Sequence, residues 1–276
     1  MKIALITKQF GQKEIELATR LSRVGHSVVV YGAKAPEHER FNGVRLRSYP
    51  FPFNLLHAAI VFRADVIHVT DPQLKRLSSA LKFLRPHAAL MHSDLPSGIT
   101  LRRVSNDDVL LDGMGLRAGS YVAIVGKKSD VNFLHRVQRA WELCDDRGMR
   151  LAVVDPEKVS PSTLQAVYAG ARAVVVGPSA NEFADALTAM SYGRTVIAFE
   201  SSALSTLSDY MLVVSDEDDL RQVMQLVIDD PMHTASLGHM ARELVEAEYA
   251  WDVLAERLLD EYMQERELRR GLLVTR

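Results

Sequence analysis

Cysteine is nearly absent from this chain. Cys144 stands alone among 276 residues, which excludes an internal disulfide and any cysteine-rich metal site. Long apolar runs are missing too. The best candidate, Phe51 to Phe62, is broken by Pro52, Asn54 and His57 and closed by Arg63, so it falls short of the roughly eighteen apolar residues a membrane helix needs. There is no G-x-G-x-x-G dinucleotide fingerprint. No G-x-S-x-G elbow surrounds Ser179, which argues against a serine hydrolase. No set of histidines and acids has metal-ligand spacing, and Asp216-x-Asp218 reads as a helix start rather than a metal motif. Repeats of twenty to fifty residues and low-complexity tracts are likewise missing.

What is present is a folded, apolar-rich chain with divided charge. The apolar fraction is 47% and the net charge is −2. Residues 1–100 nevertheless hold fourteen Lys and Arg against seven Asp and Glu, while the remainder holds nineteen against twenty-eight. A basic half beside an acidic one points to an anionic partner for the first. The opening MKIALITKQFG reads as a first strand rather than a signal peptide, and the cytoplasm is the expected address.

Strand and helix alternate from the start. Lys2 to Thr7 is a short apolar run, Ile15, Ala18, Leu21 and Val24 mark one helix face, and Gly25 stops it. The β-branched run His26 to Tyr31 completes a βαβ unit, and further strands are expected at 44–47, 66–70 and 89–92. The prolines of the 49–53 connection make it extended.

A second series begins at Tyr121 with a strand to Val125, a polar loop and a helix from Val131 to about Arg147. Strands follow at 151–154, 173–176, 195–199 and 211–214. Ser160-Pro161 opens one helix as N-cap and first helical residue, and Ser215-Asp216-Glu217-Asp218 opens another with a capping box. Two terminal helices are expected, over 234–247 and 251–264. Two such series, separated by the polar stretch 102–119, predict two doubly wound α/β domains facing each other across a cleft. The expected divisions are residues 1–105, 106–250, and a closing helix and tail, 251–276.

Functional groups in such sheets gather where strands give way to helices. Gly11 and Gln12 open the first helix, where backbone N–H groups favour an anion. His68 alternates inward with apolar neighbours as a core histidine, and Asp71 reads as a turn former. His92 ends a strand, in Leu90-Met91-His92-Ser93-Asp94. Gly126-Lys127-Lys128 places two cations in a strand-to-helix loop. The richest stretch is VGPSANEFADALTAMSYGRTVIAF, residues 176–199: a strand, a Gly-Pro-Ser loop, an acid at Glu182, a helix of small residues ending at Gly193, and another strand.

Laid end to end, these segments resemble the retaining nucleotide-sugar glycosyltransferases of family 4, which have the GT-B fold. That family reads P-S-x-x-E, seven residues, then E-A-M-A-x-G-x-P-V-V. Pro178-Ser179-Ala180-Asn181-Glu182 keeps the first part and Ala189-Met190-Ser191-Tyr192-Gly193-Arg194-Thr195-Val196 the last. Two residues are missing between them, and Thr188 falls where the second glutamate belongs. Lys127 stands for the family's arginine, and Tyr249-Ala250-Trp251 opens a helix similar to the closing helix that crosses back to the first domain in that fold.

The resemblance implies transfer of a sugar from a nucleotide-diphosphate donor to a hydroxyl acceptor, with retention and without a metal or other cofactor. It places His92 and Glu182 beside the transferred sugar. Gly11, Gln12, Gly126, Lys127, Lys128, Ser179, Asn181 and Thr188 would bind the donor, with the lysines on the diphosphate and Thr188 near the ribose. The basic first domain would suit a phospholipid, glycan or nucleic acid acceptor, or peripheral contact with a membrane. The losses at Thr188 and Lys127 open an alternative: a GT-B scaffold that binds a nucleotide, glycan or protein without turnover.

Overall fold

The computed structural model describes residues 1–8, 10–32, 40–49, 53, 57–70, 86–101, 104, 107–125, 131–156, 158–179 and 181–274, the side chains of the last three excepted. The chain forms two compact units, Met1–Gly98 with Trp251–Arg276, and Ile99–Ala250.

In the first unit, β1 (Lys2–Ile6) leads through α1 (Gln12–Arg23) to β2 (Ser27–Gly32). A short hairpin, β3 (Arg40–Phe41) and β4 (Val44–Ser48), is followed by β5 (Val66–Val69) and β6 (Ala89–His92). The sheet order is β3-β4-β2-β1-β5-β6, parallel except for β3. β3 went unread because two residues carry no period; Asn42 and Gly43, both at positive φ, make its turn. One sheet face, with Ile3, Leu5, Val28, Val30 and Val44, packs against Leu17 and Leu21 of α1. The closing helix packs there as well, through Trp251, Leu254, Ala255, Leu258 and Tyr262. Those five recur at helical spacing, so one stripe of the helix is apolar. Gly98 admits this helix, since a Cβ there would stand 2.6 Å from both Trp251 and Leu254. The opposite sheet face packs against Ala58, Ala59, Phe62 and Ala64.

The second unit begins with α2 (Asp108–Asp112), a helical turn inside the stretch read as a polar connector. Asp107 caps it through the amide of Leu110, and Leu111 is buried. A five-residue helix is too short to show a period. Next come β7 (Tyr121–Val125), α3 (Val131–Glu142), β8 (Arg150–Val154), α4 (Pro161–Gly170), β9 (Ala173–Val176), α5 (Glu182–Ser191) and β10 (Thr195–Phe199). A 3₁₀ segment (Ser202–Tyr210), β11 (Leu212–Val214), α6 (Glu217–Asp229) and α7 (Pro231–Leu244) complete the unit. The closing helix of the chain is α8 (Trp251–Val274). The sheet is wholly parallel, in the order β11-β10-β9-β7-β8, with a core on each face.

Three helices differ from the sequence expectation at their ends. α7 starts at Pro231 rather than Thr234, with Asp230 as its cap, and gives way at Val245 to a π-helical turn that runs to Tyr249. α3 stops at Glu142 rather than near Arg147, because Asp146 organises a turn through the amides of Gly148 and Met149. Arg147 and Gly148 there both take positive φ. α8 runs ten residues past Gln264, to Val274, as a charged helical end. The caps read from sequence are present. Ser160 accepts from the Thr163 amide, and Asp216 accepts from the Asp219 amide while the Asp219 carboxylate reaches back to Ser215. Asp216 is thereby committed as a helix cap. Gly193 sits at φ +68 after α5, the left-handed position that favours glycine.

Candidate functional site

The strand order of the second sheet puts its reversal between β7 and β9, and α/β sheets bind ligands at the carboxyl ends beside such a reversal. Val125 ends β7 level with Val176 of β9, and Ala198 of β10 lies level with Val176 on the other side. The loops leaving Val125, Val176 and Phe199 therefore start from one edge of the sheet. Gly126, Lys127 and Lys128 belong to the first of these loops and lie outside the described residues, as does Asp71 in the first unit.

The loop after β9 is built tightly. Gly177 packs under Phe133 of α3; a Cβ there would approach the ring at 2.8 Å. The Ser179 hydroxyl accepts from the Asn181 amide at 3.1 Å and the Ser179 carbonyl from the Glu182 amide at 3.3 Å, which turns the chain into α5. Asn181 holds the N-cap position without a side-chain capping bond, and its amide group points no bond into the helix. The Glu182 carboxylate, half-buried, accepts a hydrogen bond from the hydroxyl of Ser201 on the loop after β10. Two adjacent strand ends are thus joined through a carboxylate in the first turn of a helix, where the helix dipole favours negative charge.

Around that bond is a cavity of about 340 Å³ lined by Val176, Pro178, Ser179, Glu182, Phe199, Glu200 and Ser201. A second cavity of about 300 Å³ shares Phe199, Glu200 and Ser201 and continues along Ser202, Ser205 and Ser208 of the 3₁₀ segment. The Arg136 guanidinium of α3 lies 4.1 Å over the Phe199 ring and reaches Glu217 at 3.4 Å. Deeper in α5, burial raises the Asp185 carboxyl above the usual carboxylate range.

Thr188 is placed differently from Glu182. They are six positions apart and so sit about 120° apart around α5, whereas an eight-residue spacing leaves about 80° in the other sense. Thr188 does not line the cavity, and its hydroxyl proton is given to the Ala184 carbonyl at 2.7 Å. Its oxygen keeps only acceptor capacity.

In the first unit, Gly11 is the N-cap of α1 with extended backbone, and Gln12 is the first helical residue. The Glu14 carboxylate lies over Gly11, where a Cβ would stand 2.5 Å from its Oε2, and it accepts from Thr7 at 3.2 Å. The helix opening therefore already faces one acid of its own chain. His92 ends β6, half-buried and level with Val69. His68 is fully buried: its Nε2 lies 2.8 Å from the Ser93 carbonyl and its Nδ1 2.8 Å from the Tyr262 hydroxyl. A carbonyl only accepts, so Nε2 carries the proton and Nδ1 accepts from Tyr262. His68 is a core histidine: its Nε2 bond holds Ser93, the residue after His92, and its Nδ1 bond ties the closing helix to β5.

Sequence reasoning brought forward Ser179, Asn181 and Glu182, which the structure gathers at one strand end. It passed over Phe199, Glu200 and Ser201. The strand-end argument, applied to β10 as it was to β9, marks those residues from sequence as well.

Two Rossmann-like sheets, parallel apart from β3 and with helices interleaved between their strands, define the class: the chain has the GT-B fold. Neither protein-family models nor curated proteins match it in sequence. Among solved structures, the chain is similar to HepE of Anabaena in complex with UDP, at 10% identity and a TM-score of 0.72 over 96% of this chain and 100% of that one. It is similar also to a sucrose-phosphate synthase from Thermosynechococcus elongatus, at 16% identity and a TM-score of 0.65 over 96% and 98%. An O-GlcNAc transferase from Thermobaculum terrenum matches at 13% identity with a TM-score of 0.56, over 99% of this chain and 69% of that one.

Proposed function

We propose that the protein is a retaining glycosyltransferase that moves a sugar from a nucleotide-diphosphate donor to a hydroxyl acceptor without a metal ion. The observation that carries this reading is the cavity at the ends of β9 and β10, with Glu182 at the start of α5 held by Ser201. UDP in the HepE structure supports a nucleotide donor, since that protein has the same fold.

The chemistry demands stabilisation of charge on the departing nucleoside diphosphate. Lys127 and Lys128, together with the amides that open α3, would meet that charge. Lysine supplies a point charge but lacks arginine's bidentate fork. Glu182 would face the sugar, where a fixed carboxylate both orients hydroxyl groups and stabilises the positive charge that develops as the glycosidic bond breaks. Ser179 and Asn181 would bind the donor at the same loop. Thr188 would supply one neutral acceptor to the ribose. Gly11 and Gln12 are assigned to the donor and His92 to the transferred sugar.

The test is a thermal-shift screen against nucleoside diphosphates and their sugars, followed by donor-hydrolysis and transfer assays. Glu182→Gln and Lys127→Ala should each abolish turnover while the fold persists. Unchanged activity in both would refute the assigned roles. The second reading, a scaffold that binds without turnover, is favoured by the Thr188 hydroxyl being turned into its own helix. Nucleotide binding with no turnover under any acceptor would establish it, and no binding at all would sink the donor site itself.

A further inference from the structure

On the sheet face opposite α1 and α8, four cations lie together. Arg45 and Arg47 alternate outward along β4, level with Val29 and Tyr31 of β2, and Arg40 of β3 stands directly across from Arg45. Lys2 shares the face by the alternation of β1. The Lys2 Nζ and the Arg45 guanidinium lie 5.9 and 6.0 Å from the centre of the same ring, Phe62. All four cations are exposed, and none forms an ion pair with an acid among the described residues. Asp65, which accepts from the Lys2 amide, has its other oxygen 3.6 Å from Arg266. Like charges directly opposite each other destabilise a strand pair, so Arg40 and Arg45 hold a position that folding alone disfavours.

Beside these cations the chain exposes aliphatic side chains. The turn His57–Val61 buries Ala58 and Ala59 against the sheet and presents Ile60 and Val61 outward, 56% and 67% exposed. The next residue is Phe62, the ring under Lys2 and Arg45, so the two features are continuous. A nucleic acid or polyanionic glycan answers the cations but gives Ile60 and Val61 nothing to bury against. An anionic bilayer offers phosphate and hydrocarbon in one surface.

We propose that this face of the first unit, formed by Lys2, Arg40, Arg45, Arg47, Ile60 and Val61, docks on an anionic lipid bilayer. The aliphatic pair enters the headgroup boundary while the cations meet lipid phosphates. This does not depend on the activity proposed for the second unit, because docking needs no donor.

The experiment is co-sedimentation of the full chain with vesicles of phosphatidylcholine alone and of phosphatidylcholine mixed with phosphatidylglycerol. Binding should appear only with phosphatidylglycerol and weaken as salt rises. Each cation contributes about five-fold, so R45Q/R47Q should lower partition by about twenty-five-fold. I60S/V61S should lower it by about tenfold. All four positions are exposed, so both variants should keep the thermal melt of the parent. Single-stranded DNA serves as the competing polyanion. Absence of vesicle binding, binding equal on both lipid mixtures, or vesicle binding that either variant retains in full would overturn the proposal. DNA binding that I60S/V61S leaves intact, without vesicle binding, would replace it with a nucleic-acid surface.

Discussion

Replacing His68 by leucine tests the argument that this histidine belongs to the core. Leucine fills similar space but removes both hydrogen bonds. The Tyr262 hydroxyl, in a fully buried residue, is then left without its acceptor, whereas the Ser93 carbonyl belongs to an exposed residue that water can reach. An orphaned buried hydroxyl costs about 1–3 kcal/mol, so His68→Leu should lose about 2–4 kcal/mol once the lost bonds are added. Tyr262→Phe alone strands Nδ1 and should cost about 1–2 kcal/mol. The double variant leaves neither orphan and should fall short of the sum by about 1–2 kcal/mol. Urea unfolding followed by fluorescence of Trp251, in a Trp141→Phe background, reports on the first unit because Trp251 lies in its core.

The pH dependence gives a second reading of the same site. Burial is the main cause that holds His68 below its ordinary value of 6.5; nearby His92 adds to the lowering, while the Ser93 carbonyl and Asp94 oppose it. The folded state then prefers the neutral ring, so its contribution is complete above pH 6.5 and is lost as pH falls from there through the folded value. The loss has a limiting slope of about 1.4 kcal/mol per pH unit. His26 and His57 are lowered in the same sense and persist in the variant, so the difference between parent and His68→Leu isolates His68. Additive single substitutions, or identical pH profiles for parent and variant, would refute the reasoning.

Other substitutions probe the second unit. Gly238→Ala drives a Cβ into the backbone carbonyl of Gly193 and should destabilise the unit by about 3 kcal/mol in a Trp141-detected urea melt. Ser201→Ala removes the bond that fixes the Glu182 carboxylate and should lower transfer kcat by about tenfold, with nucleoside-diphosphate affinity from calorimetry unchanged. Thr188→Val deletes one neutral acceptor and should weaken donor binding by about five-fold in the same titration.

The sheet strands are largely legible in the sequence. Val28 to Tyr31 and Ala173 to Val176 are uninterrupted apolar runs, and such runs have few homes outside a parallel sheet. Caps were legible for the same local reason: Ser160-Pro161 and the acids after Ser215 act on amides within three or four residues. The hairpin of β3, the single turn α2 and the 3₁₀ segment escaped because each is too short or too irregular to carry a period.

The sequence alone determined the alternation of strand and helix and the place of Glu182 after a buried strand, because these rest on burial pattern and short-range hydrogen bonding. Only the tertiary structure decided that Ser201, nineteen residues on, would meet Glu182. It also decided that Tyr262 would find His68, 194 residues away in sequence. It placed Arg45 and Lys2 on one phenylalanine ring. Such pairs follow from sheet order and helix packing, which join distant segments through contacts that no local pattern records.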